Sequence, residues 1–133
     1  NIVVGYINTP EGEAAVEYGI REAQLREGKL VVVHSMVGGD HEDVEEYRES
    51  AEAMERIRQR LHDEGIDHCT HEYVRGQRPV DDLLEAVESH DAGMIVIGIR
   101  SRSTTGKLLL GSNALEILHD SSVPVMCVKA DED

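Results

Sequence analysis

Between Gly98 and Asn113 the chain reads GIRSRSTTGKLLLGSN, which gathers glycines and cations in a protein that is otherwise strongly acidic. The formal net charge is -14 over 133 residues, yet no Asp or Glu occurs from Ala92 to Leu115, while Arg100, Arg102 and Lys107 all fall inside. The apolar run Met94-Ile95-Val96-Ile97 leads into Gly98, and Gly111-Ser112 opens a helical pattern through Ala114, Leu115, Ile117 and Leu118. A strand, a glycine loop and a helix N-terminus in succession present free backbone N–H groups and the positive end of a helix dipole, which together attract phosphate. Simple turns and a good N-cap use the same residue types, so spacing alone leaves both readings open.

Other phosphate loops fit less well. The nucleotide-hydrolase loop GxxxxGK[ST] is absent, because its first glycine position is Ser101 and its last position is Leu108. Ser103-Thr104-Thr105-Gly106 resembles the phosphate loop of flavodoxins, but that loop follows a first strand and this one follows a late strand. A response-regulator site needs an acidic pair after the first strand, where this chain has Ile7 and Asn8.

Histidines and cysteines invite a metal reading. His68 and His71 fall on opposite faces of a strand-like run, whereas Cys69 and His71 share one face. The other histidines, at 34, 41, 62, 90 and 119, show no helical HxxxH or other ligand spacing, so no metal site is expected. Cys69 and Cys127 form no CxxC, and each reads as a reduced, buried small hydrophobe.

These residues must be held by a single domain of ordinary size, 1–133, large enough for one core. Five strand-like runs, Ile2–Tyr6, Leu30–Ser35, Cys69–Val74, Met94–Gly98 and Val123–Val128, alternate with helical patterns. Four are nearly continuous in apolar residues, as strands covered on both faces are; the third alternates, as an edge strand would. Helices are predicted over Glu11–Glu27, ended by Gly28, over about Asp40–Glu64, from Pro79 onward with Val80, Leu83, Leu84 and Val87 inward, and from Ser112. Strand-helix alternation predicts a three-layer α/β/α domain with right-handed crossovers and a ligand crevice at the carboxyl ends of the strands.

Composition bounds the partners. With 27 carboxylates against 13 Lys and Arg, the surface is wrong for nucleic acid, whose binding rests on neutralised phosphates. No run approaches the ~20 apolar residues of a membrane span. No charged-then-apolar leader opens the chain either, so a soluble, cytoplasmic protein is expected. Many acids, three lysines and no Phe or Trp suggest a salt-adapted protein.

Glycine, two residues, a small residue, nine residues, then glycine and serine describes Gly98, Ser101, Gly111 and Ser112. With Ile2-Val3-Val4-Gly5 in the first strand, Arg75-Gly76 before the third helix, Gly106-Lys107-Leu108-Leu109-Leu110 and Val123-Pro124-Val125-Met126-Cys127-Val128, the whole chain resembles a universal stress protein. The resemblance implies a five-stranded, mostly parallel sheet of order 3-2-1-4-5, similar to the adenine nucleotide alpha hydrolases. It also implies a homodimer formed through Val123–Val128 and, in one subgroup, ATP or another adenine nucleotide, with magnesium only alongside the nucleotide. Its nucleotide site would comprise Gly5, Ile7, Ser35, Ile97, Gly98, Arg100, Ser101, Lys107, Gly111, Ser112 and Asn113.

Two residues depart from the family pattern: Ser101 replaces a glycine, and Ile7 stands where the family places a ribose-binding aspartate. Isoleucine accepts no hydroxyl hydrogen bond, and Asn8 would substitute only by a one-residue shift. The reading is therefore a nucleotide-binding stress regulator without strong catalysis. A dimeric module with a decayed pocket and a slow nucleotide hydrolase are the alternatives. Arg100, Arg102 and Lys107 would supply charge for hydrolysis, but no acid in the loop would hold magnesium, and no HIGH or KMSKS signature is present.

Overall fold

The computed structural model describes residues 1–35, 44–73, 78–100 and 111–130. Five strands and four helices alternate: β1 (Ile2–Tyr6), α1 (Pro10–Arg26), β2 (Leu30–Ser35), α2 (Val44–Asp63), β3 (His68–Tyr73), α3 (Pro79–Ser89), β4 (Met94–Ile99), α4 (Ser112–Asp120) and β5 (Val125–Lys129). The sheet order is β3-β2-β1-β4-β5, and every neighbouring pair is parallel, so the sheet is wholly rather than mostly parallel among the described strands.

The alternation of side chains along the strands divides the core into two layers. Val4, Tyr6 and Val32 pack with Val16 and Ile20 of α1 and Met54 and Leu61 of α2. Val3, Val31, Val33, Ile95 and Ile97 pack with Val80, Leu83 and Val87 of α3 and Ile117 of α4. Both faces of the central strands are thereby buried, which is why β1, β2 and β4 read as unbroken apolar runs. Among the described strands the alternating β3 is at the edge, paired with β2 alone.

Several boundaries differ from expectation for local reasons. At the last strand, Ser121 Oγ accepts from Val123 N at 3.0 Å and donates to the Val123 carbonyl at 2.7 Å, a turn that keeps Val123 out of β5. Pro124 has no N–H, and the ladder begins with its carbonyl accepting from Ile95 N before Val125. Helix α1 ends on Glu27, which itself takes the left-handed conformation (φ 55°), rather than on Gly28. The start predicted for α2, from Asp40, lies outside the described residues. Cys69 and Cys127 are half-buried rather than enclosed, because both stand on the outer strands of the sheet.

Candidate functional site

The strand order reverses between β1 and β4, and at their carboxyl ends a cleft of about 250 Å³ opens. Gly5 and Ile97 form its floor, Leu83 and Pro79 of α3 one wall, and Asn113, Ala114 and Ile117 of α4 another. Ile7, just past β1, and Gly98, near the end of β4, complete the lining. An apolar slot of this size, slightly below the 300–1,000 Å³ usual for small-molecule sites, suits one flat ring system rather than a large ligand.

Five residues expected from sequence line this cleft: Gly5, Ile7, Ile97, Gly98 and Asn113. Gly111 and Ser112 form the N-terminus of α4 beside it. Ser35 ends β2, with its side chain outside what is described, and Ser101 and Lys107 lie wholly outside the described residues. Sequence reasoning missed Val33, Pro79, Leu83, Ala114 and Ile117 as wall residues; each had been read only as packing or as a helix start, and one-dimensional periodicity does not separate core from cleft.

The three glycines of this region have different physical reasons. A Cβ on Gly98 would lie 2.0 Å from the carbonyl oxygen of Glu11, so glycine lets the first turn of α1 sit directly on β4. A Cβ on Gly5 would meet Leu83 at 3.1 and 3.2 Å and narrow the slot. Around Gly111 a Cβ would meet no atom of the described residues within 4 Å, and its φ of -69° is open to any residue. Neither packing nor backbone strain among the described residues requires glycine there.

Charge is arranged differently from the linear sequence. Arg100, which appears remote from every acid in sequence, donates through Nε to Glu11 Oε2 at 3.2 Å across a separation of 89 residues. The loop cations are therefore not all isolated from carboxylates. Arg78, just before α3, reaches Glu116 of α4 at 2.8 Å and Asp81 at 3.2 Å, bracing the two helices that wall the cleft; these pairs raise the guanidinium pKa.

On the β1 side, the Tyr6 hydroxyl donates to Glu13 Oε2 at 2.6 Å, with Asn8 Oδ1 3.2 Å away. Burial, and then the Glu13 carboxylate, push the phenol far above its ordinary pKa, so Tyr6 is a neutral strut rather than a base. Asn8 is thus engaged with Tyr6, while Ile7, 45% exposed, presents its side chain to the cleft mouth. Among the described residues, no group of three His, Cys or carboxylate donors gathers at the cleft; the one such group lies on β3 and at the end of α3.

A model of the universal stress protein family matches residues 1–129. A universal stress protein of Mycolicibacterium smegmatis is 41% identical over 128 residues, 96% of each chain. Among solved structures, a universal stress protein from Archaeoglobus fulgidus superposes with a TM-score of 0.78 at 36% identity, covering 96% of this chain and 97% of that one. A second structure from that organism, described as a complex with dAMP, gives a TM-score of 0.67 at 33% identity over 96% of both chains.

Proposed function

This chain belongs to the universal stress protein family, and we propose that it binds an adenine nucleotide in the cleft between β1 and β4, acting as a ligand-responsive stress protein rather than as a strong catalyst. The observation that carries this reading is the continuity of two unlike surfaces. An apolar slot over Gly5 and Ile97 runs to the start of α4, where Gly111 leaves room that no described protein atom fills. A base suits the slot, and phosphate suits the amides of Gly111, Ser112 and Asn113 with the helix dipole behind them. The related archaeal protein described with dAMP supports the same ligand class.

No carboxylate occupies the ribose position at Ile7, so the sugar hydroxyls forgo a charge-assisted acceptor. Such a hydrogen bond contributes roughly 1.5 to 3 kcal/mol, which predicts weaker binding than in family members that keep the aspartate. Arg100 enters as a rim cation that must exchange Glu11 for phosphate, and Ser101 and Lys107 follow it in sequence, outside the described residues. Magnesium would arrive with the nucleotide, held chiefly by its phosphates. Glu11 and Glu13, in the first turn of α1 after β1, are engaged by Arg100 and Tyr6.

The decayed-pocket reading rests on Ile7 and on the Arg100–Glu11 pair. The two readings separate in one experiment: calorimetric titration of purified protein with ATP, AMP and cyclic AMP, followed by assay for turnover. Saturable binding without rapid hydrolysis supports the proposal. The slow-hydrolase reading would show phosphate release instead.

Dimerisation belongs to the same proposal. Among the described strands β5 pairs with β4 alone, and a two-fold mate on its other edge would cover that ladder. No described helix is long and apolar enough to cross a membrane.

A further inference from the structure

At the edge of the sheet away from β4 and β5, Cys69 and His71 of β3 meet His90, the residue that ends α3. Cys69 Sγ lies 3.7 Å from His71 Nε2, and His71 Nε2 lies 3.0 Å from His90 Nε2. All three donor atoms fall within 4.8 Å of one another. Tetrahedral zinc with Zn–S near 2.3 Å and Zn–N near 2.05 Å holds its ligand atoms about 3.5 Å (S to N) and about 3.3 Å (N to N) apart. The two measured separations therefore depart from a zinc shell by a few tenths of an ångström, within the reach of small side-chain rotations.

From this geometry we propose that Cys69, His71 and His90 form a binding site for a borderline-soft divalent cation, zinc by its donor set, with a fourth position open to water. Thiolate plus two imidazoles excludes magnesium and calcium, which take oxygen. All three side chains are half-buried, so an ion has a path in while the shell is partly shielded from water. His68 takes no part, because its Nδ1 lies 2.7 Å from the Ile66 carbonyl on the other side of the strand.

The site has a structural consequence. β3 has a single strand neighbour, and an ion shared by β3 and the end of α3 would fasten that edge strand to the helix over β1 and β2. Its place differs from that of the nucleotide cleft, so the two proposals stand or fall separately.

The competing explanation is a histidine pair sharing one proton at 3.0 Å, with the thiol a bystander. Titrating the reduced full chain with Co²⁺, then displacing it with Zn²⁺, distinguishes them. The expected result is one Co²⁺ per chain with tetrahedral d–d bands and a thiolate-to-cobalt charge-transfer band, and a Zn²⁺-dependent rise of several degrees in the melting midpoint. Cys69→Ser should abolish the charge-transfer band and His90→Gln should weaken binding at least tenfold. Cys127→Ser, on the opposite edge strand, should change neither. A cobalt complex lacking the thiolate band, or one that keeps it in Cys69→Ser, would overturn the assignment; so would unaltered affinity in His90→Gln. Circular dichroism of each variant without metal separates loss of ligation from loss of fold.

Discussion

The helices that follow β1 and β4 start at the same end of the sheet, on opposite faces, and are finished in opposite ways. At α1, Thr9 adopts extended geometry and its Oγ1 accepts from Gly12 N at 3.1 Å, while Glu11 and Glu13 place negative charge in the first turn. At α4 the cap position is Gly111, which has no side chain to offer, and the first turn carries no acid. Among the described residues, side chains satisfy the positive end of α1, and none does so at α4. That asymmetry, rather than the mere presence of glycine, points to the α4 side of the cleft as the place for an anion.

The same contrast separates Gly98 from Gly111, and it is broken most severely at Gly98. Replacing Gly98 with Ala places a Cβ 2.0 Å from a backbone oxygen, and backbone does not yield as a side-chain tip does. Overpacking of a tight site costs typically 1–3 kcal/mol and more where backbone must move, so the variant should melt many degrees lower or fail to accumulate folded. Thermal denaturation followed by circular dichroism checks this. A midpoint within two or three degrees of the parent would show that α1 is not seated on β4 as described.

The capped end is next. Thr9→Ala removes the acceptor for Gly12 N and should cost about 1 kcal/mol, read as a shift in chemical denaturation at unchanged slope. Of similar size, and on the open side of the comparison, Ile7→Asp restores a carboxylate at the cleft mouth. It should tighten ATP binding by about 1 kcal/mol, roughly fivefold, if Ile7 faces the ribose. Unchanged or weaker ATP affinity in calorimetry would place the sugar elsewhere.

The smallest effect concerns acid. His34 on β2 is 4% exposed, and burial lowers its pKa despite Glu72 at 3.9 Å, which opposes the shift. The unfolded chain therefore takes up this proton more readily than the folded one. Its contribution is complete above about pH 6.5 and is lost as pH falls through the lower, folded-state value. His34→Gln should flatten part of the decline in midpoint between pH 7 and 5; an identical decline would assign that slope to other groups.

Much of the scaffold was legible because parallel strands buried on both faces write themselves as apolar runs, and Thr9-Pro10 and Pro79 mark helix starts plainly. The order 3-2-1-4-5 was carried by family resemblance, since periodicity does not rank strands in space. What could not be read was pairing at a distance. Arg100 with Glu11 spans 89 residues and Arg78 with Glu116 spans 38, and nothing local signals either. Cys69 and His71 were correctly placed on one face, but His90 joins them only because α3 returns along the sheet. Likewise, Gly98 and Gly111 look equivalent in the motif and acquire different reasons only when their neighbours are known.

The most direct test of the central claim is titration calorimetry with ATP on the parent and on Gly111→Val, run beside their melting curves. A Cβ at Gly111 meets no described protein atom within 4 Å and the observed φ is open to valine, so the substitution should cost the fold about 1 kcal/mol or less as a poorer cap. It should also weaken ATP binding at least tenfold by blocking approach to the amides. Equal affinity in the two proteins, or no binding in the parent together with none gained in Ile7→Asp, would contradict a nucleotide site at the start of α4.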